Sequence, residues 1–147
     1  MLAIGSDHAA FSFKEEIKAH LDAKGVEYKD FGCFSSDRVD YPIYAEKVAN
    51  AIRGGNCRLG LLFCGTGIGI SLAANKMPGI RAAVCTDCYS AAMSRRHNDA
   101  NILAMGARVV GIDLAKQIID TWLASEFEGG RHGDRVDLIS KIEAKYR

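Results

Sequence analysis

The fold is decided by Leu59-Gly-Leu-Leu-Phe-Cys-Gly-Thr-Gly-Ile-Gly-Ile-Ser-Leu-Ala-Ala-Asn-Lys76, which joins an apolar run, a cysteine, three alternating glycines and a helical segment. The run Leu59–Phe63 is short and uniformly apolar. Such a run is typical of a strand that is buried on both faces of a parallel sheet. Cys64 follows it directly, so we expect the strand to deliver a thiol to the glycine-rich turn.

The three glycines predict an anion-binding turn. Gly65, Gly67 and Gly69 allow positive φ and a close approach of a ligand, so main-chain N–H groups, including that of Ile68, can converge on one negative oxygen. The helix that follows would place its positive dipole end there and would favour the thiolate form of Cys64. A thiolate beside such a turn can abstract a proton or attack an electrophile. The alternative is a buried cysteine that caps a core strand, followed by a tight turn without a ligand.

Length and composition limit the class of protein. A chain of 147 residues fits a single domain over residues 1–147 that can bury a core without disulfides or metals. The net charge of +1 and the scattered basic residues argue against a nucleic-acid partner. Five cysteines without paired metal-ligand motifs predict a reducing, cytoplasmic setting and no metal, and we interpret Cys85 and Cys88 as structural. No signal peptide or membrane-spanning run is apparent, so we expect no membrane partner.

Apolar strand-like runs alternate with helical segments along the whole chain. The predicted strands are Leu2–Gly5, Val26–Phe31, Leu59–Phe63, Ile80–Cys85 and Ile102–Met105. Besides the helix after Gly69, the predicted helices are Phe11–Lys24, Ile43–Arg53, Thr86–Arg96, Ile112–Ser125 and Val136–Tyr146, with a glycine-rich basic turn over Phe127–Arg135. This alternation predicts an α/β fold: a Rossmann-like three-layer α/β/α sandwich with a five-stranded parallel sheet, plus a C-terminal helix.

Polar residues follow the first strand and precede the second long helix. Asp7 and His8 come after Leu2–Gly5, at the carboxyl end of a strand, where open α/β sheets bind ligands. Asp7 could instead be a helix N-cap. Tyr41 precedes Pro42 at a helix entrance, where it either packs as an anchor or offers its hydroxyl to a ligand.

A second polar cluster, His97-Asn98-Asp99-Ala100-Asn101, lies before the fifth strand. We interpret His97 and Asn98 as functional, because an imidazole can exchange protons near neutral pH. Asp99 and Asn101 are ordinary turn residues.

Three arginines complete the set of candidate residues. Arg108 lies just past the fifth strand, and Arg131 and Arg135 lie in the basic turn. Guanidinium groups match the oxygens of a phosphate, although a solvated charged turn is the simpler use of the last two.

These groups supply acid, base and oxyanion stabilisation, and no cofactor motif accompanies them. Gly-x-Gly-x-Gly differs from the dinucleotide fingerprint, which makes a nicotinamide-dependent oxidoreductase the weakest alternative. Aldose–ketose isomerisation of a phosphorylated sugar needs only such groups, because a base moves a proton next to a carbonyl while the enediolate oxygen is stabilised.

Six motifs resemble those of the type B ribose-5-phosphate isomerases, in the family's order and spacing over nearly the whole chain. They are Gly5-Ser-Asp-His-Ala9, Asp40-Tyr-Pro42, Cys64-Gly-Thr-Gly-Ile-Gly69, Ala73-Ala-Asn-Lys76, His97-Asn-Asp-Ala-Asn101 and Gly129-Gly-Arg-His132. The same superfamily contains galactose-6-phosphate and allose-6-phosphate isomerases. The resemblance therefore indicates the reaction more closely than the sugar.

The resemblance implies a role for each candidate residue. Cys64 would move the proton between C1 and C2, with Thr66 hydrogen-bonded nearby and the amides of residues 65–69 holding the enediolate oxygen. His97 would open the furanose ring. The remaining implied contacts are Asp7, Tyr41 and Asn98 for the sugar oxygens, and His8, Arg108, Arg131 and Arg135 for the phosphate. One branch of the family has a glutamate as base at the position of Ile70, so this chain follows the cysteine branch.

Topology adds an expectation of its own. The helix after the fourth strand runs back along the sheet, so His97 should end far from Cys64. A homodimer with two shared sites would join them, with His97 and Asn98, and Arg108 as an additional candidate, reaching the partner's Cys64; pairing of dimers into a tetramer is the alternative assembly. The alternatives are an isomerase of a six-carbon sugar phosphate and a phosphosugar-binding module without catalysis.

Overall fold

A computed structural model describes residues 1–147. The strands are β1 (Leu2–Ser6), β2 (Tyr28–Asp30), β3 (Leu59–Cys64), β4 (Ala82–Val84) and β5 (Ile102–Gly106). The helices are α1 (Phe11–Ala23), α2 (Tyr41–Arg53), α3 (Ile68–Ala74), α4 (Cys88–Arg96), α5 (Ile112–Ala124) and α6 (Arg131–Lys145), and a short 3₁₀ turn covers His8–Ala10.

All five strands are parallel and form one sheet in the order β2-β1-β3-β5-β4. The predicted α/β sandwich with a five-stranded parallel sheet is therefore confirmed. In the centre of the sheet, Gly60 pairs with Ile102 and Cys64 pairs with Gly106. The carboxyl ends of β1, β3 and β5 consequently meet at one edge, which we call the carboxyl edge; the opposite edge is the amino edge.

The core has two halves, one on each face of the sheet. Leu61 and Phe63 of β3 pack with α1 and α5, where Trp122 is fully buried. Leu62 and Cys64 point to the other face and pack with α2 and α3. Because successive side chains of a strand alternate between faces, a uniformly apolar β3 is what a sheet covered on both sides requires.

Several predicted boundaries differ from those observed. β2 and β4 are shorter than predicted, because they are edge strands and each pairs with only one neighbour. The predicted basic turn is wrong in its second half: α6 starts at Arg131, so Arg131 and Arg135 are helical. Gly129 and Gly130 have φ of 68° and 55° and make the bend alone. None of the six helices has the length and apolarity needed to cross a bilayer.

Candidate active site

Cys64 ends β3 with its side chain directed at the glycine-rich turn. Its Sγ accepts a hydrogen bond from the Gly67 N–H at 3.1 Å. Gly67 can aim this N–H at the sulfur because its φ is +79°, in the left-handed region. The sulfur is therefore in direct contact with the main chain of the glycine-rich turn. Cys64 is only 4% exposed, and none of the four cavities of the single chain is lined by it.

Some N–H groups of the glycine-rich turn donate hydrogen bonds within the turn, and others have no partner in the chain. The Gly67 N–H serves the sulfur, and the Ile68 N–H donates to Thr66 Oγ1 at 3.2 Å. The N–H groups of Gly65 and Thr66 donate to no group of the chain. The amides that remain available for an anion thus lie immediately after Cys64, together with that of Gly69 in the first helical turn.

Two glycines are required where the turn meets the end of β5. A Cβ on Gly67 would lie 2.7 Å from the backbone carbonyl carbon of Met105, and a Cβ on Gly106 would lie 2.6 Å from the Cα and carbonyl carbon of Thr66. These two backbone segments therefore touch. Gly106 was missed in the sequence, although a glycine at the end of a strand is itself a signal of close backbone approach.

Tyr41 and Arg108 flank the turn. A Cβ on Gly69 would lie 2.7 Å from Cζ of Tyr41, so the phenol ring covers that glycine. A Cβ on Gly65 would lie 3.3 Å from an Arg108 Nη. The expectation that Arg108 serves a neighbouring chain is therefore wrong: the loop after β5 folds back, with the Arg108 N–H donating to the Gly65 carbonyl at 3.1 Å.

Asp7 and His8 also lie at the carboxyl edge. The Asp7 N–H donates to the carbonyl of Phe63, next to Cys64, and Asp7 Oδ1 accepts the Ala10 N–H at 3.3 Å, so the capping role is real. His8 Nδ1 lies 3.1 Å from both the N–H and the carbonyl oxygen of Val39, and the tautomer of the ring decides which of the two it binds. The contact ties the loop before α2 to the strand end, and Nε2 has no partner in the chain.

His97 and Asn98 lie at the amino edge instead. His97 ends α4, and the carbonyls of Asn98 and Asp99 accept hydrogen bonds from Arg81, just before β4. The Gly60 N–H, at the start of β3, donates to the Asn101 carbonyl. Gly60 and Cys64 are four residues apart along the strand, or about 13 Å. The structure therefore does not bring His97 to Cys64 within one chain, as the topology led us to expect.

Asp99 and Asn101 shape the turn after His97, as predicted. Asp99 has φ of +46° and pairs with Arg95 at 2.9 Å and Arg81 at 3.2 Å. Asn101 accepts the Arg81 N–H and donates to the Gly79 carbonyl. Their hydrogen bonds fix the segment that carries His97.

A cluster of three residues, His97, Glu128 and His132, which we call the histidine cluster, was not predicted. The His97 and His132 rings stack with centroids 4.0 Å apart and planes within 7°. Glu128 Oε1 lies 3.7 Å from Nε2 of His97 and 3.6 Å from Nε2 of His132. One ligand atom from each of the three residues lies within 4.8 Å of the other two.

Positive charge surrounds the histidine cluster. Burial lowers the pKa of His132, and the neighbouring His97, Arg131 and Arg135 lower it further. Arg131 and Arg135 project from the first turns of α6, whose N-terminus adds the positive end of a helix dipole. This part of the amino edge therefore suits an anion.

The candidate residues consequently form two half-sites. The thiol half-site, at the carboxyl edge, comprises Asp7, His8, Tyr41, Cys64, Gly65, Thr66, Gly67, Ile68, Gly69 and Arg108. The imidazole half-site, at the amino edge, comprises His97, Asn98, Arg131 and Arg135.

This parallel α/β sandwich, with a thiol at a strand end, is the fold of a sugar isomerase. Residues 2–139 match the family model of the Ribose/Galactose Isomerases, and the chain belongs to that family.

Named relatives agree with this assignment over almost the full chain. The chain is 56% identical to ribose-5-phosphate isomerase B of Escherichia coli strain K12, over 98% of this chain and 97% of the relative. It is 45% identical to D-erythrulose-4-phosphate isomerase of Pectobacterium atrosepticum, over 97% and 94%. The solved structure of Clostridium thermocellum ribose-5-phosphate isomerase B superposes with a TM-score of 0.98 at 57% identity, and the match covers 99% of both chains.

Proposed function

We propose that the protein interconverts D-ribose 5-phosphate and D-ribulose 5-phosphate through a cis-enediolate. One observation carries this proposal: the Cys64 sulfur lies at a strand end, receives the Gly67 N–H, and is followed by two amides that have no partner in the chain. This arrangement offers a base and an oxyanion site side by side, which is what the reaction demands. The two relatives named ribose-5-phosphate isomerase B support the choice of sugar.

The chemistry follows from the two half-sites. His97 donates a proton to the ring oxygen as the bond between C1 and that oxygen breaks; the proton of the anomeric hydroxyl leaves O1 to form the aldehyde and restores the proton of His97 by way of solvent. The Cys64 thiolate then removes the C2 proton of the open-chain aldose; the electron pair forms the C1–C2 double bond, and the free amides steady the charge on O1. The thiol returns the proton to C1, the hydroxyl on C2 becomes the carbonyl, and its proton passes to O1. No atom is gained or lost.

The phosphate-binding groups are also split between the half-sites. His8 and Arg108 lie beside the thiol, whereas Arg131 and Arg135 lie near His97. We assign all four to the phosphate and Asp7, Tyr41 and Asn98 to the sugar oxygens, which requires both halves to face one substrate.

We further propose a homodimer in which the imidazole half-site of each chain completes the thiol half-site of its partner. Three observations support it: the separation of about 13 Å along the sheet, the lack of a cavity at Cys64, and an exposed apolar face for a partner to cover. That face comprises Leu138, Ile139 and Ile142 of α6 and Tyr146 just after it, and α3 adds exposed Ile68 and Leu72. A two-fold axis would make two equivalent sites.

Mixing two inactive variants tests the shared site. Cys64→Ala inactivates the thiol half-site and His97→Ala inactivates the imidazole half-site. In a heterodimer of the two variants, one shared site carries both substitutions and the other carries neither, so one site is intact. Random subunit exchange gives half heterodimers, and about a quarter of the wild-type sites should become active. No recovery after verified exchange would contradict the shared site.

A substrate panel tests the reaction itself. Purified protein is assayed with the 5-phosphate of ribose and the 6-phosphates of allose and galactose, without added metal or cofactor. We expect turnover with ribose 5-phosphate, abolished by Cys64→Ala while the affinity for a phosphosugar stays nearly intact. Equal loss of both would indicate that Cys64 only packs the core, and binding without turnover would indicate a non-catalytic module.

A second substrate class has one observation in its favour. The relative from Pectobacterium atrosepticum is named for a four-carbon sugar phosphate, so the family fold accepts more than one chain length. Preference for a four- or six-carbon phosphate in the same panel would replace ribose 5-phosphate with that sugar.

The five free cysteines support our further proposal of a reducing, cytoplasmic setting.

A further inference from the structure

His97, the side chain assigned to ring opening, contacts His132 and Glu128. The proposed reaction gives these two residues no function. His97 is 38% exposed and would be free to rotate at the end of α4, yet its ring lies flat against His132, which is 10% exposed. Flat stacking restricts the imidazole to a narrow range of orientations. Proton donation depends on such orientation, because the donor atom must lie within hydrogen-bond reach of the acceptor.

Glu128 is fixed relative to His97 through the main chain. The Glu128 N–H donates to the carbonyl of Arg96, the residue before His97, at 3.0 Å. The carboxylate is thereby kept beside both Nε2 atoms, at 3.7 and 3.6 Å. The His132 N–H donates to the Gly129 carbonyl, which anchors the second ring at the start of α6.

One carboxylate beside two stacked imidazoles can balance one added proton, not two. Burial and the charges of His97, Arg131 and Arg135 lower the pKa of His132, and the charge of Glu128 opposes this shift. The same carboxylate oxygen lies 3.7 Å from Nε2 of His97, so its charge also acts on the ring assigned to ring opening. An imidazole that acts as an acid must direct its N–H at the ring oxygen of the sugar.

We propose that Glu128 and His132 are positioning residues for His97: His132 sets the plane of its ring, and the charge of the Glu128 carboxylate holds the ring in that orientation for ring opening. The inference rests on the proposed function. It assigns to the histidine cluster a role in opening the cyclic aldose only, and none in moving the proton between C1 and C2.

The chemistry of the two sugars separates these steps. Ribose 5-phosphate closes into a furanose and needs ring opening. Ribulose 5-phosphate cannot close such a ring, because its 5-hydroxyl carries the phosphate. Exchange of its C1 hydrogen with deuterated solvent therefore reports on Cys64 without ring opening, whereas turnover of ribose 5-phosphate requires both steps.

The experiment measures both quantities for Glu128→Gln, which keeps the shape and removes the charge, and for His132→Ala. We expect each variant to lower kcat with ribose 5-phosphate by three- to tenfold, with little change in KM and an unchanged exchange rate in ribulose 5-phosphate. His132→Phe, which retains a flat ring, should recover most of the loss of His132→Ala. Asp120→Asn is the matched control, since the partners of Asp120 are His20 at 2.8 Å and Lys24 at 2.7 Å, neither of which belongs to a half-site.

Two results would overturn the inference. Ribose turnover equal to wild type in Glu128→Gln would show that the charge does not act, and a parallel fall of turnover and exchange would show a general structural defect. Failure of the proposed function has a different signature: wild-type protein would then show neither turnover nor exchange that depends on Cys64.

Discussion

Gly67→Ala is the substitution for which the structure gives the sharpest expectation. Gly67 has φ of +79° and its added Cβ would meet backbone atoms of Met105 and Gly106 at 2.7–3.0 Å. Backbone cannot rotate away as a side chain can, so the turn must move. Because the Gly67 N–H is the hydrogen-bond donor to the Cys64 sulfur, the movement also disturbs the proposed base.

The magnitude can be separated into two contributions. A left-handed conformation costs a non-glycine residue about 1–2 kcal/mol, and overpacking a closely packed site costs about 1–3 kcal/mol more. We expect Gly67→Ala to lower the free energy of unfolding by about 2–5 kcal/mol. Gly55→Ala is the matched control, because Gly55 has the same φ of +79° with nothing within 4 Å of its Cβ position, and it should lose about 1–2 kcal/mol.

Urea denaturation of both variants measures the difference, and isomerase assays on the folded proteins measure activity. Gly67→Ala should be less stable than Gly55→Ala by at least about 1 kcal/mol and should lose most of its turnover, whereas Gly55→Ala should retain it. Equal stability of the two variants, or full activity of Gly67→Ala, would refute the close backbone contact and the role of this N–H.

Three further predictions concern a buried ion pair and the apolar face. Asp30→Asn removes the closest negative charge from Lys14, which is fully buried with its Nζ 2.6 Å from Asp30 and 3.8 Å from the more exposed Glu15. In urea denaturation this variant should lose about 3–5 kcal/mol of unfolding free energy, against under about 1 kcal/mol for the more exposed Asp120→Asn. Burial alone would raise the pKa of Asp30, but its hydrogen bonds from Lys14 and Lys18 lower this pKa below 3.8. The free energy of unfolding of the wild type should therefore be constant above about pH 4 and fall at lower pH. For Asp30→Asn, it should fall less steeply over the same pH range. Ile142→Lys places a charge on the exposed apolar face of α6, so this variant should sediment as a monomer. An unchanged dimer would exclude that face as the dimer interface.

The sequence was informative wherever the cause of structure is local. The uniformly apolar run before Cys64 predicted a central parallel strand, and the observed β3 is fully covered on both faces. Asp99 and Asn101 were correctly interpreted as turn residues, because short polar side chains bond nearby backbone. The predicted boundaries of β2, β4 and α6 were wrong. The ends of the two edge strands depend on pairing with a single neighbour, and the start of α6 depends on the bend at Gly129 and Gly130.

The sequence by itself determined the α/β class, the thiol at a strand end and the family, because periodicity, glycine spacing and ordered motifs are properties of neighbouring residues. Only the tertiary structure decided the strand order, the contact of Gly106 with Thr66, the return of Arg108 to its own Gly65 and the stacking of His132 on His97. Each of these depends on which distant segments the packing of the core brings together, and spacing along a chain carries no such distance.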